Sequence, residues 1–165
     1  MNIILCGMMG SGKTTVAEAL SENYSLDRVD TDGIIVSRYG AIDKIFASFG
    51  EAYFRDIETE VIKEIATSLK NAVISLGGGA VLRAENVENL KRTGKIFYLR
   101  ATADTIINRL KGDNTRPLLQ GNLEERVHSV LSVRSGIYEG VADIIVDTDG
   151  LTPEALAKII KEKSV

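Results

Sequence analysis

Short apolar runs alternate along this chain with longer segments in which apolar residues recur at every third or fourth position. The runs Asn2–Cys6, Ala72–Leu76 and Lys95–Leu99 are typical of strands that are covered on both faces of a parallel sheet. The clearest helical pattern lies at Glu51–Leu69, where an apolar stripe is formed by Phe54, Ile57, Val61, Ile65 and Leu69. Strands that alternate with helices predict parallel pairing through right-handed crossovers, and therefore a three-layer α/β/α domain.

Weaker patterns complete this alternation. Two more strands are expected at Ser25–Val29 and Ala142–Val146, which makes a five-stranded sheet. Further helices are expected at Lys13–Asn23, Ile34–Tyr39, Ile42–Phe49, Ala84–Thr93 and Ala103–Lys111, from Asn122 to Tyr138, and after Thr152 and Pro153. Gly112–Gln120 has little periodicity and predicts an exposed, mobile loop. The sequence has no repeat or linker, so residues 1–165 are expected to form one domain.

The segment Gly7–Thr14 joins the first strand to the first helix and fits the phosphate-loop pattern of nucleotide-binding proteins. Its glycines allow successive backbone N–H groups to point at phosphate oxygens. The helix that starts behind Gly12 presents its N-terminal N–H groups to the same anion. Lys13 can reach the β- and γ-phosphates, and the Thr14 hydroxyl can bind Mg²⁺. This segment predicts a nucleotide-phosphate site.

The composition excludes several other classes of protein. A chain of 165 residues with 44% hydrophobic residues, 26% charged residues and a net charge of −3 is globular and lacks the positive field of a nucleic-acid binder. No apolar run reaches the roughly 18 residues that span a membrane, and the first strand leaves no room for a targeting segment, so we expect a cytoplasmic protein. No strong apolar surface patch is evident, which makes a monomer the expectation.

Four loops are predicted at the carboxyl ends of strands, where ligands bind in such sheets: Gly7–Gly12, Asp30–Gly33, Gly77–Gly79 and Asp147–Gly150. Asp30 and Asp32 lie two residues apart at the end of an extended strand, so their side chains are expected on one face beside the phosphate loop. One carboxylate could hold Mg²⁺ through water, and the other could accept a proton or a hydrogen bond from a substrate hydroxyl. The alternative is an ordinary turn, for which this sequence is also suitable.

Three arginines are candidates for binding anionic groups. Arg55 lies next to the apolar stripe of its helix, where it can form a fork for a substrate carboxylate or an ion pair with Glu51 or Glu58. Arg134 occupies a helical position at which the pattern requires an apolar residue, so we expect it to reach a cleft. Arg116 lies in the exposed loop, where it could close over phosphates.

Together these motifs resemble the shikimate kinase family. The resemblance runs through most of the chain and rests on Gly7–Thr14, Asp30-Thr31-Asp32, Ile45-Phe46, Gly50-Glu51, Phe54–Glu58, Ser75–Ala80, Asn114–Leu119, Arg134 with Tyr138, and Val146–Thr148. It implies a nucleoside monophosphate kinase-like fold with strand order 2-3-1-4-5, a mobile lid at about 112–122 and a shikimate-binding helical region at about 32–60. It also implies ATP-dependent phosphorylation of the 3-hydroxyl of shikimate, with Mg²⁺ as cofactor and with no nucleic-acid or membrane partner.

The resemblance further implies roles for individual residues. Those implied to bind ATP are Gly10, Ser11, Gly12, Lys13, Thr14, Thr15, Arg109, Arg116 and Pro153, with Arg109 and Pro153 near the adenine. Those implied to bind shikimate are Asp32, Arg55, Gly77, Gly78, Gly79 and Arg134, with the two arginines on its carboxylate, in a pocket shaped or braced by Phe46, Phe54 and Glu58. The implied catalytic residues are Lys13, Asp32 and Arg116, and Mg²⁺ would be held by Thr14 and, through water, by Asp30.

Other functions share some of these features. A small kinase that acts on gluconate or on a nucleoside monophosphate would have the same phosphate loop, and gluconate also carries a carboxylate. The triple glycine and the Phe54-Arg55 pair favour shikimate. A GTP-binding switch would also share the loop, but the chain has no Asn-Lys-x-Asp segment for reading guanine. A regulatory ATP-binding module also shares it and would show ATP binding without turnover.

Overall fold

A computed structural model of the chain describes residues 1–112 and 122–165. Its sheet has five strands in the order β2-β3-β1-β4-β5, and every neighbouring pair is parallel. The strands are β1 Asn2–Cys6, β2 Asp27–Asp30, β3 Ala72–Ser75, β4 Gly94–Arg100 and β5 Ile144–Asp147. Strand number, direction and order are those expected. The expected lid, with Arg116, lies almost wholly outside the described residues.

Helices connect the strands. They are α1 Lys13–Tyr24, α2 Thr31–Tyr39, α3 Ile42–Phe49, α4 Glu51–Ser68, α5 Ala84–Lys91, α6 Ala103–Leu110, α7 Leu123–Val141 and α8 Pro153–Ser164. A 3₁₀ turn at Ala80–Leu82 was not expected from the sequence. The side chains of Thr102, Asn122 and Thr152 each accept a hydrogen bond from a backbone N–H in the first turn of α6, α7 and α8, which defines where these helices begin.

The alternation of side chains along β1 separates two apolar layers. Ile3 and Leu5 pack against the helices on one face, α1 and α8. Ile4 and Cys6 face the opposite layer, which includes apolar residues of α2 to α7. Burial raises the pKa of the Cys6 thiol to about 12, so this cysteine stays protonated at neutral pH and acts as a small apolar side chain. The sheet therefore lies between two helical layers, as expected.

The junction between β2 and α2 differs from the expectation. Asp30 and Asp32 were expected on one face of an extended strand, and α2 only from Ile34. This prediction was wrong: β2 ends at Asp30 and α2 begins at the next residue. The reason is a cap, because Asp30 Oδ1 accepts a hydrogen bond from the Gly33 N–H at 3.0 Å. Asp32 therefore lies in the first helical turn.

The surface also differs from the expectation in one place. Phe49 of α3 is 63% exposed and stacks on Tyr53 of α4, which is 44% exposed, with ring centroids 4.6 Å apart. These two rings form a small apolar patch that the sequence pattern did not indicate. Among the described residues, no helix is both long enough and apolar enough to cross a membrane.

Candidate active site

The phosphate loop has the backbone expected of an anion site. Gly12 precedes α1 with φ 95°, and Gly10 has φ 78°, a conformation that residues with a Cβ rarely adopt. Within the described residues, no side chain caps the start of α1 and its first turn contains no acidic residue. The N–H groups and the positive end of the helix dipole are therefore left for an anionic ligand.

Lys13 is buried beneath this loop. Its Nζ donates hydrogen bonds to the carbonyl oxygens of Gly7 at 2.6 Å and Met8 at 3.0 Å. The ammonium group thus holds the loop in its curled form and adds positive charge where phosphate oxygens would lie.

A cavity of about 700 Å³ extends from the loop, and we call it the nucleotide cavity. The expected ATP-binding residues in its lining are Gly10, Ser11, Gly12, Lys13, Thr14, Thr15, Arg109 and Pro153. Arg109 Nη1 donates a hydrogen bond to the Gly10 carbonyl at 3.0 Å, so this arginine is held against the loop. The two residues implied to lie near the adenine therefore line the same cavity as the phosphate loop.

Thr14, Asp30 and Asp32 also line the nucleotide cavity. A hydroxyl and carboxylate oxygens are the hard ligands that Mg²⁺ prefers. In the described part of the chain, no group of three or more His, Cys, Asp and Glu residues could hold a metal ion. This chemistry fits a Mg²⁺ ion that takes few ligands from protein and the others from phosphates and water.

A second cavity of about 380 Å³ lies beside the first, and we call it the acceptor cavity. Its lining includes all the residues implied to bind or shape the pocket for shikimate: Asp32, Phe46, Phe54, Arg55, Glu58, Gly77, Gly78, Gly79 and Arg134. Both cavities share the wall formed by Met9, Asp32, Ile42, Gly77 and Gly78. A ligand in one cavity would therefore meet a ligand in the other at the Asp32 carboxylate and the glycines.

Gly77 and Gly79 leave room for charged side chains, and Gly78 lies beside a third. A Cβ on Gly77 would lie 2.5 Å from Asp32 Oδ1, one on Gly78 would lie 3.4 Å from Arg134 Nη1, and one on Gly79 would lie 2.6 Å from Arg55 Cζ. Gly79 has φ −100°, which other residues also adopt, so backbone strain does not require glycine there. Glycine is required there because a larger residue would occupy the space of the Arg55 guanidinium.

Arg55 is held by two carboxylates. Its Nη1 donates to Glu58 Oε1 at 2.8 Å, and its Nη2 lies 3.5 Å from Glu51 Oε1. Glu58 is fully buried, and this burial raises its pKa although the Arg55 guanidinium acts in the opposite direction. Arg55 therefore forms the expected ion pairs and also lines the acceptor cavity, while its role as a fork for a substrate carboxylate stays a prediction.

Arg134 lies in the cavity wall, which confirms that its unusual place in the apolar pattern of α7 directs it to a cleft. Two further residues were missed. Arg126 lines the acceptor cavity about two turns before Arg134, and no sequence pattern distinguishes it from a surface arginine. Arg83 binds Asp56 Oδ1 at 2.7 Å and ties the end of the 3₁₀ turn to α4, a contact between distant segments that no local pattern indicates.

A phosphate loop at the end of the central strand, and an acceptor cavity that shares its carboxylate wall, define a P-loop kinase of small molecules. A family model described as shikimate kinase matches residues 9–164. The chain is 51% identical over 164 residues to a shikimate kinase from Thermodesulfovibrio yellowstonii, covering 98% of this chain and 94% of the relative. It is 44% identical over 161 residues to one from Caldicellulosiruptor bescii, covering 96% and 92%. The chain belongs to the shikimate kinase family.

Solved structures agree with this assignment. Shikimate kinase from Acinetobacter baumannii in complex with shikimate matches with a TM-score of 0.91 at 37% identity, covering 98% of this chain and 91% of that one. Shikimate kinase from Aquifex aeolicus matches with a TM-score of 0.80 at 33% identity, covering 99% and 95%. The expected fold and family are confirmed, while the roles of individual site residues stay predictions.

Proposed function

We propose that this protein transfers the γ-phosphoryl group of ATP to the 3-hydroxyl of shikimate, giving shikimate 3-phosphate and ADP in the synthesis of aromatic amino acids. The observation that carries the proposal is the shared wall of the two cavities, formed in part by Asp32 and the glycines 77–78. A donor on the phosphate loop and an acceptor in the second cavity would meet there, which is the positioning that phosphoryl transfer requires.

The charges of the acceptor cavity suit a small carboxylate. Its lining contains three arginines, Arg55, Arg126 and Arg134, beside the carboxylates Asp32 and Glu58. Phe46 and Phe54, with centroids 4.9 Å apart, supply an apolar wall beside these charges. A ring that carries one carboxylate and several hydroxyls matches both features, and the arginines can bind its carboxylate as forks.

Asp32 would orient the acceptor hydroxyl by accepting a hydrogen bond from it. The hydroxyl oxygen then forms a bond to the γ-phosphorus while the bond from phosphorus to the β,γ-bridging oxygen breaks and ADP leaves. The hydroxyl proton passes to Asp32 or to water. Lys13 and the N–H groups at the start of α1 would stabilise the negative charge on the phosphate oxygens. Mg²⁺, held by Thr14 and through water by Asp30, would supply further positive charge to the phosphates when bound.

The domain bounds, the lid, the ATP-binding residues, the location and the oligomeric state are proposed from the resemblance to the family. We propose one catalytic domain over residues 1–165, with a shikimate-binding helical region at about 32–60 and a lid at about 112–122 that carries Arg116. We also propose that ATP is bound by Gly10–Thr15, Arg109 and Pro153, and that the protein acts as a cytoplasmic monomer. Phe49 and Tyr53 form a small apolar patch through which two copies could associate. Light scattering, which measures the mass of the protein in solution, therefore tests whether it is a monomer.

Identification of the product tests the proposed reaction. The purified protein would be incubated with MgATP and shikimate, and the product examined by ³¹P and ¹H NMR. We expect one new phosphate monoester whose phosphorus couples to the proton at carbon 3 of the ring. A phosphate on another hydroxyl, or no phosphorylated shikimate under conditions where ATP binds, would contradict the proposal.

A further inference from the structure

Two side chains of α7 and the backbone of Gly78 meet at the wall of the acceptor cavity. Tyr138 lies one turn after Arg134 in α7, and its side chain is fully buried. The Tyr138 hydroxyl donates a hydrogen bond to the Gly78 carbonyl oxygen at 2.6 Å. A Cβ on Gly78 would lie 3.4 Å from Arg134 Nη1 and 3.8 Å from the same hydroxyl. The phenol, the guanidinium and the glycine backbone are therefore neighbours.

The donors and acceptors of the three groups determine which group donates each hydrogen bond and which accepts it. A phenol has one proton, and here Gly78 accepts it, so the remaining lone pairs of the oxygen can only accept. Arg134 has donors and no acceptor. Burial raises the pKa of Tyr138 to about 12, with the Arg134 guanidinium acting in the opposite direction, so at neutral pH the hydroxyl keeps its proton and its bond to Gly78.

The ring of Tyr138 is itself held in place. It packs against the ring of Tyr98 in β4, with centroids 5.1 Å apart and an interplanar angle of 31°. A guanidinium on a long flexible side chain loses conformational entropy when it binds a ligand in one orientation. A rigid acceptor beside it reduces that cost, because the orientation is already selected before the ligand binds.

We infer that the Tyr138 hydroxyl is a positioning group that holds the Arg134 guanidinium against Gly78, in the orientation that binds the acceptor's carboxylate. The inference rests on the proposed function, since it assumes an anionic acceptor in this cavity. Tyr138 itself does not line the cavity, so it acts through Arg134 and the glycine segment without touching the acceptor.

Tyr138→Phe tests this role because it removes one oxygen and keeps the ring. Tyr98→Phe is the matched control, since Tyr98 is also buried, at 2% exposure, and contacts the same ring. We expect Tyr138→Phe to raise the KM for shikimate about five- to tenfold, with less than about a twofold change in the KM for ATP, the size of effect that one hydrogen bond allows. The control should change neither.

A double-mutant cycle with Arg134→Ala then separates positioning from a general structural role. If the hydroxyl acts through Arg134, Tyr138→Phe should add less than about a twofold change in KM in the Arg134→Ala background, because the group that it positions is absent. An unchanged KM in the single variant would overturn the inference. So would the full effect persisting in the Arg134→Ala background.

A measurement that needs no activity keeps this test separate from the proposed function. Hydrogen exchange of the backbone amides in residues 76–82 should be faster in Tyr138→Phe than in Tyr98→Phe, because the Gly78 carbonyl loses its partner. If the wild-type protein did not phosphorylate shikimate, the proposed function would fail while this difference remained. Equal exchange in both variants would overturn the contact between Tyr138 and Gly78.

Discussion

Gly79→Ala offers a direct way to displace Arg55 without changing Arg55 itself. The added Cβ would lie 2.6 Å from Arg55 Cζ, so the guanidinium must move, whereas the backbone at φ −100° accepts alanine. A charge-assisted hydrogen bond of the kind that Arg55 can offer a carboxylate contributes about 1.5–3 kcal/mol. Its loss should raise the KM for shikimate about 10- to 150-fold, since each 1.4 kcal/mol corresponds to about tenfold.

The fold should survive the substitution. Arg55 also neutralises the buried Glu58, so we expect the free energy of unfolding to fall by about 1–2 kcal/mol, less than the total stability of a typical domain. Gly136→Ala is the control, because Gly136 lies in α7 and an added Cβ there would meet no atom of another described segment within 4 Å. It should increase helix stability by up to about 1 kcal/mol and leave the kinetics unchanged.

Steady-state kinetics with shikimate and ATP varied separately provide the assay, with circular dichroism to verify folding. The KM for ATP should change by less than about twofold in Gly79→Ala, because Gly79 lines only the acceptor cavity. In an Arg55→Ala background, Gly79→Ala should have little further effect, since the displaced guanidinium is already gone. A folded Gly79→Ala protein with unchanged shikimate kinetics would refute the reasoning.

Three further substitutions test other parts of the site. Lys13→Ala should abolish phosphoryl transfer while circular dichroism shows a folded protein; retained turnover would contradict the role of Lys13 at the phosphates. Arg55→Ala should raise the KM for shikimate with the KM for ATP nearly unchanged, and unaltered shikimate kinetics would exclude Arg55 as a carboxylate ligand. Glu58→Gln tests a pH dependence of stability. The folded protein holds the Glu58 proton more tightly than the unfolded chain does. The contribution of Glu58 to the free energy of unfolding therefore falls as pH rises from its ordinary pKa of 4.5 through the raised value. In urea unfolding the Gln variant should therefore gain stability relative to wild type as pH rises, and parallel pH curves for the two proteins would contradict this.

Local patterns predicted the elements and most of the residues around the site. β1 and the phosphate loop were predictable because an apolar run, a set of glycines and a helix pattern occur within a few residues of one another. Arg134 was predictable as a cleft residue because a charge in an apolar stripe is costly to bury without a partner. The start of α2 was not predictable, because the segment is compatible both with extended backbone and with a helix capped by Asp30. The hydrogen bond from the Gly33 N–H to Asp30 decides in favour of the helix.

Contacts between distant segments account for the rest. The triple glycine indicated a loop at the end of a strand. The clearance that Gly77 gives to Asp32 and Gly79 gives to Arg55, and the contact of Gly78 with Arg134, depend on side chains from three different helices. The shared wall of the two cavities likewise arises from how β1, β3 and α2 meet at one edge of the sheet. The periodicity of apolar residues within one helix or strand does not predict which residues of other elements it contacts.

The most direct test of the proposed function is ADP release from MgATP with shikimate, gluconate and a panel of nucleoside monophosphates offered in parallel. The two adjoining cavities and membership of the shikimate kinase family predict turnover with shikimate alone. Turnover with a different acceptor would keep the phosphate loop and contradict the assignment of the acceptor cavity. ATP binding without turnover on any acceptor would contradict the kinase function itself.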